Sequence, residues 1–496
     1  MIETGFYSIL PPLIAIALAL ITKEVYSSLF IGVLSGMIIY VVFAHESFVA
    51  IFAHMFDMMA EKIADNSYMI IFLALLWAVI TLVGRSGGME SYGRLAGKRL
   101  KSGRATRLAT MLLGILIFID DGFNCLTIGT VMRPVYDRQK ISREKLAYII
   151  DATAAPVCII APVSSWAVAV ASEVSKTDGF NVFLSTIPYN LYALLTLFMV
   201  LFITLTGKDF GKMKKAEEDA AKADVRDDKG DPDEKIPEKG GRVIDLVLPI
   251  VMLVIFAILG MAYVGGFFEG VPFSEAIGEN PVAGLSLGAF AGLVTAFVMY
   301  IPRKILSPKQ FVEAIVSGIG SIVPPMIILI LSWSLGGVCR EMIGTGEFIS
   351  GFVAQTTLPL WMLPFLVFVI AALMSFSMGT SWGTFGMLIP IVTMICAGTG
   401  GGLLVPTLGA TLAGAVYGDH CSPISDTTIL ASTGAQCEHI RHVETQIPYA
   451  TLVAVMCAVG YFIIGLSGIL WAGILASVVL LTASILLLGK AERHTT

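Results

Sequence analysis

Apolar runs of about twenty residues recur along all 496 residues of this chain. A helix of that length is what it takes to cross roughly 30 Å of hydrocarbon. The runs are continuous rather than alternating, which argues against a β-barrel. Charged residues make up 14% of the chain and hydrophobic ones 56%, against roughly 25% charged in soluble domains. The expected class is an all-α polytopic membrane protein. Crossings are predicted at 7–22, 26–44, 68–84, 147–173, 182–206, 243–265, 281–301, 312–338, 404–434, 447–467 and 471–489. Segment 47–64 is amphipathic and is expected at the interface. The opening residues carry no basic n-region, so no cleaved signal peptide is expected. The seven cysteines lack CxxC or zinc spacing and read as small buried hydrophobes.

Two regions, 108–132 and 363–396, do not fit single crossings. Each has two apolar arms around a polar, glycine-containing tip, Asp120-Asp121-Gly122-Phe123-Asn124 and Ser377-Met378-Gly379-Thr380-Ser381. An arm of about 13 residues reaches about 20 Å, too short to span, so both are expected to be re-entrant hairpins. Loop 85–107 has seven Lys/Arg and loop 133–145 has five, which places both ends of the first hairpin on the cytoplasmic side. The flanks of the second hairpin carry one basic residue, Arg340, and are expected outside. Segment 208–242 holds 21 charged residues in 35 and reads as a solvated cytoplasmic linker.

The halves resemble each other. Trp77 matches Trp333, Thr127 matches Thr384, and Pro162 matches Pro423, at offsets of 256, 257 and 261 residues. Five crossings and a hairpin per copy is an odd number, so the second copy is expected to be inverted. Inverted repeats with broken helices are the pattern of secondary transporters. The expected organisation is a first repeat over 1–207, the linker 208–242, and a second repeat over 243–496 with one extra C-terminal crossing. The N-terminus is expected outside and the C-terminus in the cytoplasm.

Pro162 and Pro423 interrupt equivalent crossings, 147–173 and 404–434, and proline breaks a helix by removing a donor and clashing with the preceding turn. Ser164 and Ser165 follow the first break, and Ser425, Asp426, Thr427 and Thr428 the second. Hydroxyls and freed carbonyls there suit a hard monovalent cation, or they satisfy the break's own backbone groups. Asn124, Thr127, Ser381 and Thr384 stand near the hairpin tips as candidate substrate contacts, with close helix packing as the alternative. That alternative explains the glycines better than it explains Asn124. An aspartate at the bilayer centre costs roughly 2.5–3.5 kcal/mol, so Asp120, Asp121, Asp419 and Asp426 demand partners. Asp419 and Asp426 are the first choices for a cation. Asp121, Asp426 and His420 are the proton-coupling candidates, Asp120 caps the hairpin or faces water, and Asp151 is expected at the interface. His420 reads either as a proton relay or as a structural histidine beside Asp419. His439 and His442 are expected to be solvated, and Trp166 and Trp382 either line the site or pack.

Gly418-Asp-His-Cys-Ser-Pro-Ile-Ser-Asp-Thr-Thr-Ile-Leu-Ala-Ser-Thr433 closely resembles the signature of the NhaC family of Na⁺/H⁺ antiporters. Asp120–Thr130 and Asp151–Trp166 are similar to the same family. The resemblance covers nearly the whole chain outside the linker. It implies an elevator-type carrier in the bacterial cytoplasmic membrane that exchanges Na⁺ for H⁺, and it leaves open a homodimer. The family also contains a malate/lactate exchanger and members proposed to carry amino acids, so a Na⁺-coupled carrier of a small organic solute is the alternative. No arginine lies clearly inside a crossing to clamp a carboxylate. No cofactor and no nucleic-acid partner are expected. Adjacent residues Asp419, His420, Cys421 and Ser422 point in different directions and lack an oxyanion device, so an enzyme is not expected. A channel suits the hairpins less well than alternating access does.

Overall fold

The computed structural model describes all residues except 1, 3, 23, 89–90, 93–94, 96–99, 119, 175–178, 223–240, 274–275, 277–279, 346, 349–350, 352–358, 399–401 and 492–496. The first half runs through α1 (Leu10–Thr22), α2 (Val25–Ala44), α3 (Ala50–Asp65) and α4 (Ser67–Gly84). A helix pair follows, α5 (Gly103–Leu116) and α6 (Asp121–Arg138). Next comes an interrupted crossing, α7 (Arg143–Asp151), α8 (Ala155–Cys158) and α9 (Ser165–Val174), and then α10 (Gly179–Thr186) with α11 (Leu191–Thr206). After α12 (Gly211–Lys222) the same order returns. Single helices α13 (Val243–Val264), α14 (Pro281–Tyr300), α15 (Pro308–Ser321) and α16 (Val323–Gly337) lead to a pair, α17 (Leu363–Met378) and α18 (Ser381–Gly398). An interrupted crossing, α19 (Leu404–Cys421) and α20 (Asp426–Ala435), precedes α21 (His439–Ser467). A last helix, α22 (Leu470–Leu488), packs on α21.

Local chemistry explains the ends and breaks of these helices. Glu24 starts α2 by accepting the amides of Tyr26 and Ser27, two of the N–H groups a helix start leaves unpaired. Gly379 closes α17 at φ 65°, a left-handed backbone that glycine adopts freely. Its turn also lies against the second break, where an added Cβ would sit 2.7 Å from Ile424 Cγ1. Pro162 lies in the non-helical stretch 159–164 and Pro423 in 422–425, as expected for residues that interrupt the helical ladder.

Among the described residues eight helices are long and apolar enough to span, or nine if Gly179–Tyr189 and Leu191–Thr206, bent by 45°, count as one. Eleven crossings were expected. The first apolar helix is short, and the crossings at 147–173 and 404–434 are broken, so none of the three passes as a continuous span. One of the eight is Leu360–Met378, 19 residues long. The first arm of the second hairpin is thus longer than the 13 residues expected for it. Large apolar side chains such as Leu487, Leu475 and Trp471 stay exposed on these helices, as on a surface that faces lipid. The protein is a multi-pass membrane protein.

The halves exchange elements. Helix α4 packs on α14 and α15, while α16 packs on α2 and α3. The return arm α6 packs on α20 of the other half, and the return arm α18 packs on α9. Gly129 on α6 makes the first of these close contacts possible, because an added Cβ would lie 2.5 Å from the Gly434 carbonyl carbon.

Two expectations about exposure change. Helix α3 is amphipathic, but Ile51, Met55, Met58 and Lys62 are buried against protein, and Lys62 Nζ reaches Glu341 at 2.6 Å. The stretch 208–222 is folded rather than solvated. Strand β1 (Lys208–Asp209) pairs antiparallel with β2 (Lys490–Ala491), and α12 packs on α7 and α21. Asp209 is buried in an ion pair with Lys145 and accepts the Tyr449 hydroxyl at 2.7 Å. Glu217 is buried against the Ser142 amide, 3.0 Å away. A charge-rich sequence folds here because each buried charge meets a partner. Residues 223–240 of the expected linker lie outside the described residues.

Candidate functional site

The tip of the first hairpin opens with Asp120, whose Oδ1 accepts the Phe123 amide at 2.8 Å and so caps α6. Asp121 accepts the Gly122 amide at 3.0 Å. Both carboxylates therefore sit on the positive end of a helix, where negative charge is favoured. The second hairpin is capped from elsewhere. Asp419, near the end of α19, accepts both the amide (3.1 Å) and the hydroxyl (2.7 Å) of Ser381, the first residue of α18. Asp419 is only 3% exposed. Its Oδ1 makes no hydrogen bond of ordinary geometry, and the neighbouring Ser425 and Thr427 hydroxyls lie 3.0 Å from each other.

Asp426 differs from these three. It starts α20 and accepts the Thr427 amide at 2.8 Å. Its side chain is solvent-exposed. Asp120 and Asp121 both lie within electrostatic reach of Asp426, and Asp121 also of Asp419. Tyr26 at the start of α2 borders the same group. The first hairpin tip and the second break thus bring four carboxylates together.

Other candidates hold the frame. Ser164 donates to the Cys158 (2.8 Å) and Ala161 (3.0 Å) carbonyls and accepts the Ala167 amide at 3.1 Å. Its hydroxyl thereby satisfies the break it follows. Ser165 is fully buried at the start of α9. Asn124 gives its amide to the Gly114 (2.8 Å), Ile117 (3.0 Å) and Thr153 (3.3 Å) carbonyls. It ties both arms of the hairpin to the first break through its NH2 group, while its Oδ1 is buried without a hydrogen-bond partner. Thr384 donates back to the Thr380 carbonyl at 2.9 Å, and Thr127 is half-buried on α6. Trp166 meets Trp382 at 5.7 Å and Phe385 at 5.8 Å between ring centroids, an aromatic wall between the first break and the second hairpin.

His420 is buried and turned away from Asp419, with Nδ1 at 2.7 Å from the Tyr192 hydroxyl. Three expectations are corrected nearby. Asp151 is fully buried rather than interfacial, and His442 is fully buried rather than solvated, with Nε2 at 3.2 Å from Asp151 Oδ2. His439 is half-buried, and its Nε2 donates to the Pro423 carbonyl in the second break at 2.7 Å. The sequence signal for this cluster was an acid at the end of an apolar stretch and a His-Gln pair four residues apart, one turn on a helix face. Arg340, at the end of the helix Pro308–Met342, donates to the Glu173 carbonyl at 3.2 Å.

Among the described residues no three His, Cys, Asp or Glu side chains gather tightly enough to hold a metal ion alone. A cation at the carboxylates would therefore also take hydroxyl and main-chain oxygens, which suits a hard monovalent ion better than a tightly held transition metal.

The model of the Na⁺/H⁺ antiporter family matches residues 167–466. An uncharacterized protein of Haemophilus influenzae is 36% identical over 98% of this chain and 96% of its own length. The malate-2H⁺/Na⁺-lactate antiporter of Bacillus subtilis is 31% identical over 36% of this chain and 42% of its own. Among solved structures, the YdaH transporter of Alcanivorax borkumensis shares the fold, with a TM-score of 0.58 at 13% identity over 83% of this chain and 88% of that one.

Proposed function

The chain belongs to the Na⁺/H⁺ antiporter family, and from that premise we propose that it exchanges Na⁺ for H⁺ across the bacterial cytoplasmic membrane by alternating access. Membership makes it a secondary transporter rather than an enzyme. The observation that carries the ion assignment is the gathering of Asp120, Asp121, Asp419 and Asp426, with Asp426 alone left accessible. All four accept an amide at a helix start, and Asp426 is the one whose side chain is also exposed. Asp426, with the hydroxyls of Ser425 and Thr427, is the group free to take a cation or a proton. One carboxylate that holds either Na⁺ or H⁺ couples the two by competition, because each must leave before the other binds. Asp419 keeps the second hairpin docked on the break that supplies the ligands.

The packing of α4 on α14 and α15, matched by that of α16 on α2 and α3, and of α6 on α20, matched by that of α18 on α9, supports two repeats of opposite orientation. In this reading the N-terminus lies outside and the C-terminus in the cytoplasm, and the basic loops flank the first hairpin on the inside. The homodimer rests on the family resemblance alone.

Proteoliposomes test the assignment. An imposed pH gradient should drive ²²Na⁺ flux in the wild type, and Asp426→Asn should abolish it without unfolding the protein. Full flux through Asp426→Asn would sink the site. The second reading is a Na⁺-coupled carrier of a small organic solute. It is favoured by the aromatic wall of Trp166, Trp382 and Phe385 beside the carboxylates and by the partial match to an antiporter named for malate and lactate. Uptake of labelled carboxylates that depends on Na⁺ would decide for it.

A further inference from the structure

A second group of buried titratable residues lies outside the carboxylate site. Asp151 ends α7 just before the first break, and His442 and Gln446 stand one turn apart on α21 of the other half. Asp151 Oδ2 accepts from His442 Nε2 at 3.2 Å and from Gln446 Nε2 at 2.7 Å. A carboxylate only accepts, so the bond places a proton on Nε2 of His442. Gln446 Nε2 also donates to the His420 carbonyl, two residues before the second break. The pair is therefore wired to the segment that shapes the cation site without being part of it. Both side chains are sealed from solvent, at 0% and 1% exposure.

A buried carboxylate beside a buried imidazole is a proton site by its chemistry. Without a second ring proton the pair carries a net negative charge in a medium that penalises it. With that proton it becomes a neutral ion pair. The two groups then bind the proton as one unit. Asp151 Oδ1 and His442 Nδ1 make no other hydrogen bond, so a lone pair remains to receive it. The titratable groups facing the pair are His420 and Cys421 from α19, Cys125 from α6 and Asp426 from α20. Among the described residues Asp151 forms no ion pair with a lysine or arginine. Asp426 is within electrostatic reach of Asp151. Charge on the pair is therefore felt at the cation site, and a Na⁺ there opposes a proton here.

We propose that Asp151 and His442 form a second proton-carrying site, which adds one H⁺ per Na⁺ to the proton that competes directly at Asp426. This rests on the Na⁺/H⁺ reading above. A carrier with both sites moves net charge in each cycle, whereas one with the Asp426 site alone is electroneutral.

The experiment compares the full-length wild type with Asp151→Asn and His442→Gln in proteoliposomes, measuring the H⁺:Na⁺ ratio from the ΔpH and membrane potential at which ²²Na⁺ flux reverses. Wild-type exchange should respond to membrane potential. Both variants should still exchange, with one proton fewer per Na⁺ and no response to potential. An unchanged ratio in both variants, or an electroneutral wild type, overturns the second site. If the wild type moves no protons against Na⁺ at all, the functional reading has failed first. Should Asp151→Asn not fold, the ¹⁵N ring signals of His442 in the wild type, assigned by their loss in His442→Gln, carry the test. A ring that never gains its second proton between pH 5 and 9, with or without Na⁺, also overturns it.

Discussion

Asp419 accepts both the amide and the hydroxyl of Ser381 across a separation of 38 residues, so the helix that starts the return arm of the second hairpin is held by a carboxylate on the second broken helix. Asp426, seven residues further on, is left exposed. The two aspartates thus have different work, and substitution should separate them.

Asp426→Asn should leave the protein folded and remove the stabilisation that Na⁺ confers, read as the loss of a Na⁺-dependent rise in Tm. A ligand at 100 times its Kd stabilises by about 2.7 kcal/mol, so the wild-type rise should be easy to detect. Asp419→Ala should instead lower Tm without Na⁺, because it strips a helix cap and two hydrogen bonds to a charged group, each worth about 1.5–3 kcal/mol. Equal behaviour of the two variants would contradict the division.

The strap that follows the first half should loosen as pH rises. Burial pushes the Glu217 carboxyl up from its ordinary 4.5 to about 7, against the pull of Lys145 and Arg107. The docked carboxyl therefore holds a proton that the undocked one releases between about pH 4.5 and 7. By linkage, docking is strongest at low pH and weakens as pH climbs through that window. Hydrogen exchange of Gly211–Lys222, corrected for intrinsic rates, should show less protection at pH 8 than at pH 6. Glu217→Gln should flatten the dependence.

Lys145 and Asp209 form an ion pair sealed inside the protein, at 1% and 2% side-chain exposure. Asp209→Ala leaves the lysine buried without its counter-charge, which costs about 3–5 kcal/mol. A drop in Tm of the single variant, largely restored in a Lys145→Met/Asp209→Leu double variant, is the expected pattern.

Gly129→Val should separate α6 from α20. A branched side chain has no room where a Cβ alone would meet the Gly434 backbone at 2.5 Å, and overpacking costs about 1–3 kcal/mol. The first hairpin tip should then move away from Asp426, so ion exchange should fall more than stability does. Flux assays beside thermal unfolding would compare the two losses.

Much of the architecture is legible in the chain itself. Apolar length sets the spans, Pro162 and Pro423 mark the breaks, and Gly379 marks the second hairpin turn, because each effect acts through neighbours within a few residues. The polar stretch 418–433 is equally plain, since charged residues in an apolar run must have a purpose. Only the tertiary structure decides which polar residues are free. Ser164 looks like a ligand in the sequence and serves the backbone in the fold, while Asn124 gives its NH2 to the backbone and keeps a buried, unpartnered Oδ1. Asp151 and His442 look exposed and are buried against each other across 291 residues. Burial and partnership depend on what packs from the other half of the chain. Local composition therefore identified where chemistry can happen, and long-range packing determined which carboxylate caps a helix, which pairs with a histidine and which remains open to an ion.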